Sequence, residues 1–255
     1  MDKRTRNSQT LLEAACCLSF AAMILYLAVT GAYLQYVTPK TLPYLYFTVA
    51  IMVLWGVFGL LRRTRSVQKP RAAHCLTLAL PLLLLLLPHS AVTSSSLSSG
   101  YVGAANSPNT VQQQSSSNSK QPEQAYGVLT GLDEANKTIT VSDSEFYLWI
   151  TAFYENPQKY DGYHVRMTGF VFRDSSQMKS NEFVPARLMM SCCVADLTPL
   201  GLLCQYDKVD DLKENEWVTV EGTLHYGEYQ GTPEPQITIT STTPAKEVSG
   251  YLYPI

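Results

Sequence analysis

Charge is scarce in this chain: Asp, Glu, Lys and Arg make up 16% of its 255 residues, and the formal net charge is −2. There is no basic excess to meet a phosphate backbone, which excludes a basic nucleic-acid binder. Six cysteines are too few for a disulfide-dense miniprotein, and 14 glycines are too few for a collagen-like chain. The motifs of common catalysis are missing too, with no G-x-S-x-G, H-E-x-x-H, P-loop or paired-carboxylate pattern anywhere. An enzyme reading has no residues to rest on, and the chain is expected not to be one. What is plentiful is apolar surface: 46% of the residues are hydrophobic, too many for a disordered protein.

The few charges are unevenly spread. Residues 1–96 hold nine Lys/Arg against Asp2 and Glu13, a net of +7. Residues 97–125 hold only Lys120 and Glu123, which cancel. Residues 126–255 hold nine basic and eighteen acidic side chains, a net of −9. The expected organisation is a membrane region over 1–92, a linker over 93–125 and an outer domain over 126–255.

Three apolar runs, residues 11–37, 42–61 and 75–92, approach or exceed the roughly 20 residues a helix needs to cross a ~30 Å hydrocarbon core. The first is too long for a signal-peptide core of ~7–15 residues, and no small-residue cleavage pattern follows it. Lys3, Arg4 and Arg6 precede the first run, and Arg62, Arg63, Arg65, Lys69 and Arg71 separate the second from the third. The positive-inside rule then places the N-terminus in the cytoplasm and the C-terminal domain outside it, as a multi-pass protein of the cell membrane. No run carries a mid-membrane acid or base. With no internal repeat either, three spans make a poor transporter alone and fit an anchor or an accessory subunit.

The linker is rich in Ser and Gln (Ser94–Ser96, Gln112–Gln114, Ser115–Ser117) with one aromatic, Tyr101. Such composition cannot offset its ordering entropy, so a disordered tether is expected. Beyond it the pattern turns to strands: 128–132, 138–141, 164–173, 183–195, 200–206, 217–224 and 236–240. Helical stretches are expected at 145–154, ended by Asn156-Pro157, and at 209–213. H-V-R-M-T-G-F-V (164–171) and W-V-T-V-E-G-T-L (217–224) share a V-x-[MV]-x-G-x-[VL] rhythm, and a glycine there lets a strand curve as small barrels need. The expected fold is three transmembrane helices, the tether and an extracytoplasmic, mainly-β, OB-like small barrel with one or two helices.

The stretches Y-D-G-Y-H-V-R-M-T-G-F-V-F-R-D (160–174) and F-V-P-A-R-L-M-M-S-C-C-V-A-D (183–196) resemble the YcgQ-like family of permease subunits, as do 217–224 and the ending Y-L-Y-P (251–254). The resemblance covers nearly the whole chain apart from the linker, and C-C-x-A-D, residues 192–196, is its most specific element. It implies an N-terminal membrane region with a C-terminal domain of unknown function. It also implies a partner, a polytopic permease subunit of the same system, and a link to zinc supply. It brings no catalytic residues.

Chemistry is concentrated at the outer cysteines. If 183–195 and 200–206 form a hairpin centred on Thr198, Cys192 faces Cys204, while adjacent Cys192 and Cys193 point to opposite faces of the strand. Three readings stand open. Cys192 and Cys204 could form a cross-strand disulfide in an oxidising exterior. Cys192 or Cys193, Cys204, Asp196 and His164 or His225 could bind zinc, whose ligands are thiolate, imidazole and carboxylate. Or the cysteines are small core residues. Met167, Met178, Met189 and Met190 are too scattered for a copper set. The aromatics of the outer domain could stack bases, but a net of −9 repels phosphates. Besides the permease, the remaining expected partner is the lipid bilayer.

Overall fold

The computed structural model of the chain describes residues 8–61, 129–175, 177–229 and 231–254. It divides into two compact units, Met1–Ala91 and Val92–Ile255.

In the first unit, helix α1 spans Ser8–Thr30 and α2 spans Leu42–Leu61. The expected first span to residue 37 is cut short. Gly31 takes a left-handed φ of 77°, and a 3-10 turn, Ala32–Gln35, follows it. A second 3-10 turn, Pro39–Thr41, starts with proline and runs into α2. Among the described residues one helix, Pro39–Leu61, is long and apolar enough to cross a membrane, and Ala14–Thr30 is a shorter apolar helix. Of the three expected spans, two fall on described residues, and one of those two is a helix long and apolar enough to cross a membrane. The run at 75–92 and the linker at 93–125 lie outside the described residues. Three hydroxyls of these helices are turned back on the backbone: Ser19 donates to Ala15 O at 2.8 Å, Thr30 to Tyr26 O at 2.8 Å and Thr48 to Tyr44 O at 2.9 Å. That is how a polar group is satisfied where no water is at hand.

In the second unit, β1 (Leu132–Asp133) and β2 (Thr138–Thr140) form a small hairpin. Helix α3 (Phe146–Glu155) follows, Asn156 breaks it, and Pro157 opens the short α4 (Pro157–Tyr160). Then come β3 (His164–Phe172), β4 (Glu182–Met189), β5 (Thr198–Leu200), β6 (Leu203–Gln205), β7 (Trp217–Tyr229) and β8 (Thr232–Pro244). Five strands close on themselves in the order β3, β7, β8, β6, β4 and back to β3. All five contacts are antiparallel except β6 with β8, which is parallel. The β1–β2 hairpin adds to β3 through β2, and β5 adds to β4. The expected strand at 200–206 is thus two strands, and the expected helix at 209–213 is a single 3-10 turn, Val209–Asp211.

Alternation fills the barrel. Val165, Met167 and Val171 of β3, with Val218 and Val220 of β7, point inward to meet Phe146, Trp149, Ile150 and Phe153 of α3. Trp149 is fully buried and its indole N–H donates to Thr130 O at 3.2 Å, so the largest side chain leaves no polar atom stranded. A second cluster gathers Phe170 of β3, Val184 and Ala186 of β4 and Leu203 of β6, with Met178. The two glycines of the shared rhythm sit where neighbouring backbone comes too close for a side chain. A Cβ on Gly169 would lie 2.5 Å from the Pro185 carbonyl carbon, and one on Gly222 would lie 2.3 Å from Thr238 O. Gly222 also borders the bulge in the β7–β8 ladder, where a strand bends most easily.

Candidate functional site

Strand register decides which cysteines meet. β4 pairs with β5 as Arg187 with Leu200 and Met189 with Thr198, and with β6 as Glu182 with Gln205 and Phe183 with Cys204. All these pairs share one midpoint, between Cys193 and Val194, not at Thr198. Cys192 and Cys193 therefore sit in the turn, and Cys204 opposes Phe183. From Phe183 to Met189, at the last turn-side pair, is roughly 20 Å of strand, far beyond the ~7 Å Cα limit for a disulfide. This overturns the Cys192–Cys204 pairing. Cys204 is fully buried, its thiol donates to Leu202 O at 3.4 Å, and burial pushes its pKa well above the usual thiol value. It is a core residue.

The turn has no glycine and is built by Asp196. Its Oδ1 accepts the Ser191 N–H at 3.0 Å, and its Oδ2 accepts those of Cys192 at 2.6 Å and Cys193 at 3.4 Å. In return the Cys193 sulfur accepts the Asp196 N–H, a reciprocal cap on the 3-10 turn Val194–Asp196. The C-terminal tail props the strand just before it. Leu252 N–H donates to Leu188 O at 2.8 Å, Met190 N–H donates to Leu252 O at 2.9 Å, and the Leu252 side chain is buried. The ending Y-L-Y-P is thus part of the site's foundation.

Because β4 stops at Met189, the two adjacent cysteines escape strand alternation. Their sulfurs stand 3.6 Å apart, contrary to the opposite faces expected of a strand. One ligand atom from each of Cys192, Cys193 and Asp196 lies within 4.8 Å of the others. The hydrogen bond to Asp196 pushes the Cys192 thiol up to about 12, with the bond to Cys193 adding to it, so it holds its proton at neutral pH. Burial works against the Asp196 charge, but the Cys192 thiol and the three N–H donors outweigh it and keep the carboxylate below its usual value.

The donor set suits zinc, a borderline-soft ion that takes thiolate and carboxylate together. Two sulfurs sharing a tetrahedral zinc at ~2.3 Å are about 3.8 Å apart, close to the spacing here. Of six candidate ligands the fold gathers three. His164 lies in β3 between Thr138 and Thr223, and His225 lies in β7 opposite Gln236 with its Nδ1 3.4 Å from Thr238 Oγ1. Neither histidine nor Cys204 belongs to the group.

A second feature, a buried pair of carboxyls, left no sign in the sequence. Glu182 and Glu234 are 2% and 7% exposed. Glu182 is held by Lys179, through Nζ at 3.2 Å and the backbone N–H at 2.8 Å. Glu234 Oε2 accepts the Tyr154 hydroxyl at 3.3 Å, while Oε1 has no partner among the described residues. Burial pushes Glu234 to about 7, the Tyr154 hydrogen bond opposes this, and the Glu182 charge adds to it. The folded protein therefore keeps a proton that the unfolded chain gives up above about 4.5. Between those two values stability falls as pH rises, by about 2 kcal/mol in all. Glu234→Gln is expected to remove that component and to be the more stable form at pH 8. Denaturant unfolding of both forms at pH 5 and pH 8, read by tryptophan fluorescence, checks it. Equal pH dependence in the two would contradict the assignment.

Residues 12–103 match the family described as the DUF1980 N-terminal domain, and residues 110–254 match the DUF1980 C-terminal domain. UPF0703 protein YcgQ of Bacillus subtilis (strain 168) is 29% identical over 96 residues, which are 38% of this chain and 33% of that protein. The aligned stretch thus spans about a third of that relative's length.

Proposed function

The chain belongs to the DUF1980 family, and on that premise we propose that it is an accessory subunit of a two-part membrane permease system whose outer barrel offers a metal ion such as zinc a thiol–carboxylate loop. One observation carries this reading: Cys192, Cys193 and Asp196 converge on an exposed turn, at the end of a barrel whose chain also carries an apolar helix of membrane length. The strand order, with its single parallel contact in the closed barrel, supports the OB-like reading, an architecture used to present loops to ligands. The two sulfurs and the Asp196 carboxylate would hold the ion, and a bound zinc would supply a fixed positive charge that cross-links the two ends of the turn. The role is binding, not catalysis.

The basic residues flanking the apolar runs support a multi-pass anchor with a cytoplasmic N-terminus and the barrel outside. A protease site placed within residues 110–119 is expected to be cut in intact cells, and Cys75 to be shielded from an impermeant thiol reagent. Cleavage only after lysis would reverse the orientation.

Purification of the full chain in mild detergent tests the permease role. It is expected to bring down a polytopic permease in stoichiometric amount. Recovery of the chain without one would replace this reading with a membrane-anchored extracytoplasmic binding or assembly module that has no transport role.

A further inference from the structure

The two sulfurs of the turn support a second chemistry. Cys192 and Cys193 are adjacent in sequence, yet their sulfurs stand 3.6 Å apart with Cys192 exposed and Cys193 half-buried. A dissolved disulfide can reach them. Other described cysteines do not compete: Cys204 is buried opposite Phe183, and Cys16 and Cys17 belong to α1. We propose that Cys192 and Cys193 form a reversible redox modification site, closing a vicinal disulfide by exchange with an external small-molecule disulfide, and that closure disables the metal loop. The second half rests on the metal reading above; ring closure itself does not.

The exchange balances in two steps. One cysteine sulfur, as thiolate, attacks a sulfur of RSSR; that S–S bond breaks, a Cys–S–S–R bond forms, and RS⁻ leaves to take up the proton the thiol gave. The neighbouring cysteine sulfur then attacks the cysteine sulfur of the mixed disulfide. The bond to SR breaks, the Cys192–Cys193 bond forms, and a second RSH leaves with the second proton. Two thiols are oxidised by two electrons, and one disulfide is reduced to two thiols.

Geometry makes the ring both reachable and weak. The sulfurs must approach from 3.6 Å to the ~2.05 Å of a bond. The motion falls on the peptide between them, and the Cys193 N–H has the longest of the three bonds to Asp196, 3.4 Å against 3.0 and 2.6 Å. The two shorter anchors, both N-terminal to that peptide, therefore hold while the weakest gives. Adjacent Cα atoms are about 3.8 Å apart, below the ~4.4–6.8 Å range of relaxed disulfides, so the ring is strained. Strained, exposed disulfides are the easily reduced ones, as a reversible switch requires. A closed ring has no thiolate left to give a metal, which removes two of the three donors.

The test uses the full chain in mild detergent, reduced, stripped with a chelator and desalted anaerobically before exposure to oxidised glutathione. Free thiols are then blocked with iodoacetamide. Cleavage after Arg187 and before Asp196 releases residues 188–195, which hold Cys192 and Cys193 without Cys204. The expected peptide is lighter by two hydrogens, takes no alkyl group, and takes two after reduction. In Cys192→Ser the expected product is a lasting glutathione adduct on Cys193, because no neighbour resolves it. Two alkyl groups on the wild-type peptide, or two glutathione adducts, would overturn the proposal. Preloading with zinc is expected to slow ring closure about tenfold or more, since metal-bound thiolates are withheld from attack. Zinc binding without ring closure overturns this inference and leaves the metal reading. Ring closure at an unchanged rate with zinc present overturns the regulatory half and counts against the metal reading, while the modification site stands.

Discussion

Alanine at Gly169 is expected to cost the barrel about 3 kcal/mol. The new methyl would sit 2.5 Å from the Pro185 carbonyl carbon and 2.8 Å from the Ala186 nitrogen. Those are backbone atoms of β4, the strand that closes the barrel against β3, so no side chain can swing aside. Either β3 and β4 part, losing the closing ladder, or the strand shifts and the inward set Val165, Met167 and Val171 loses its fit to α3. A loss of that size is a large share of the ~5–15 kcal/mol that a domain has, and corresponds to a melting temperature lower by roughly 10 °C. Thermal unfolding of the full chain followed by near-UV circular dichroism measures it. A change below about 1 kcal/mol would show that the wall at Gly169 is looser than described.

The second large effect is expected at Asp196. Replacing it with alanine removes a proposed metal donor and the acceptor for three backbone N–H groups at once. Zinc affinity is expected to fall about 100-fold or more, and amide exchange at Ser191, Cys192 and Cys193 to accelerate in the metal-free protein. Asp196→Asn retains one oxygen acceptor and is expected to fall between the two. Cys204→Ser is the informative contrast: it lies opposite Phe183 in the core and should lower stability while leaving zinc bound. Equal loss of zinc in Asp196→Ala and Cys204→Ser would mean that the metal follows barrel stability and not this turn.

The barrel was legible in the sequence because its signals were local and redundant. Alternating apolar residues marked β3 and the first half of β7, and the shared glycines marked two close strand approaches, at Gly169 and Gly222. The helix at 145–154 emerged one residue later, as Phe146–Glu155, because a 3-10 turn, Asp143–Glu145, takes up the start. The long β7–β8 hairpin was harder. Pro233 and Pro235 argue against a strand, yet they precede the pairing of β8 with β6, which begins at Gln236. On that stretch of β8 only the β7 side is paired.

The site was half legible. Cysteine and aspartate in C-C-x-A-D marked the right segment, but the pairing was misplaced by the turn. Thr198-Pro199 reads as a turn and instead forms the edge strand β5, where a proline is tolerated. The true turn contains neither glycine nor proline and is closed by a carboxylate accepting N–H groups, a device that composition does not reveal. That error alone placed Cys204 opposite Cys192 and set the two vicinal cysteines on opposite faces. The Glu182–Glu234 pair left no trace in the sequence, since T-P-E-P-Q reads as an exposed loop and only the folded barrel buries it.

Zinc content of the full chain is the most direct test of the metal loop. The reduced protein, incubated with a modest excess of zinc and desalted, is expected to hold about one zinc per chain more than the Cys192→Ser/Cys193→Ser variant handled in parallel. Equal zinc in the two proteins, or none in the wild type, would contradict the account.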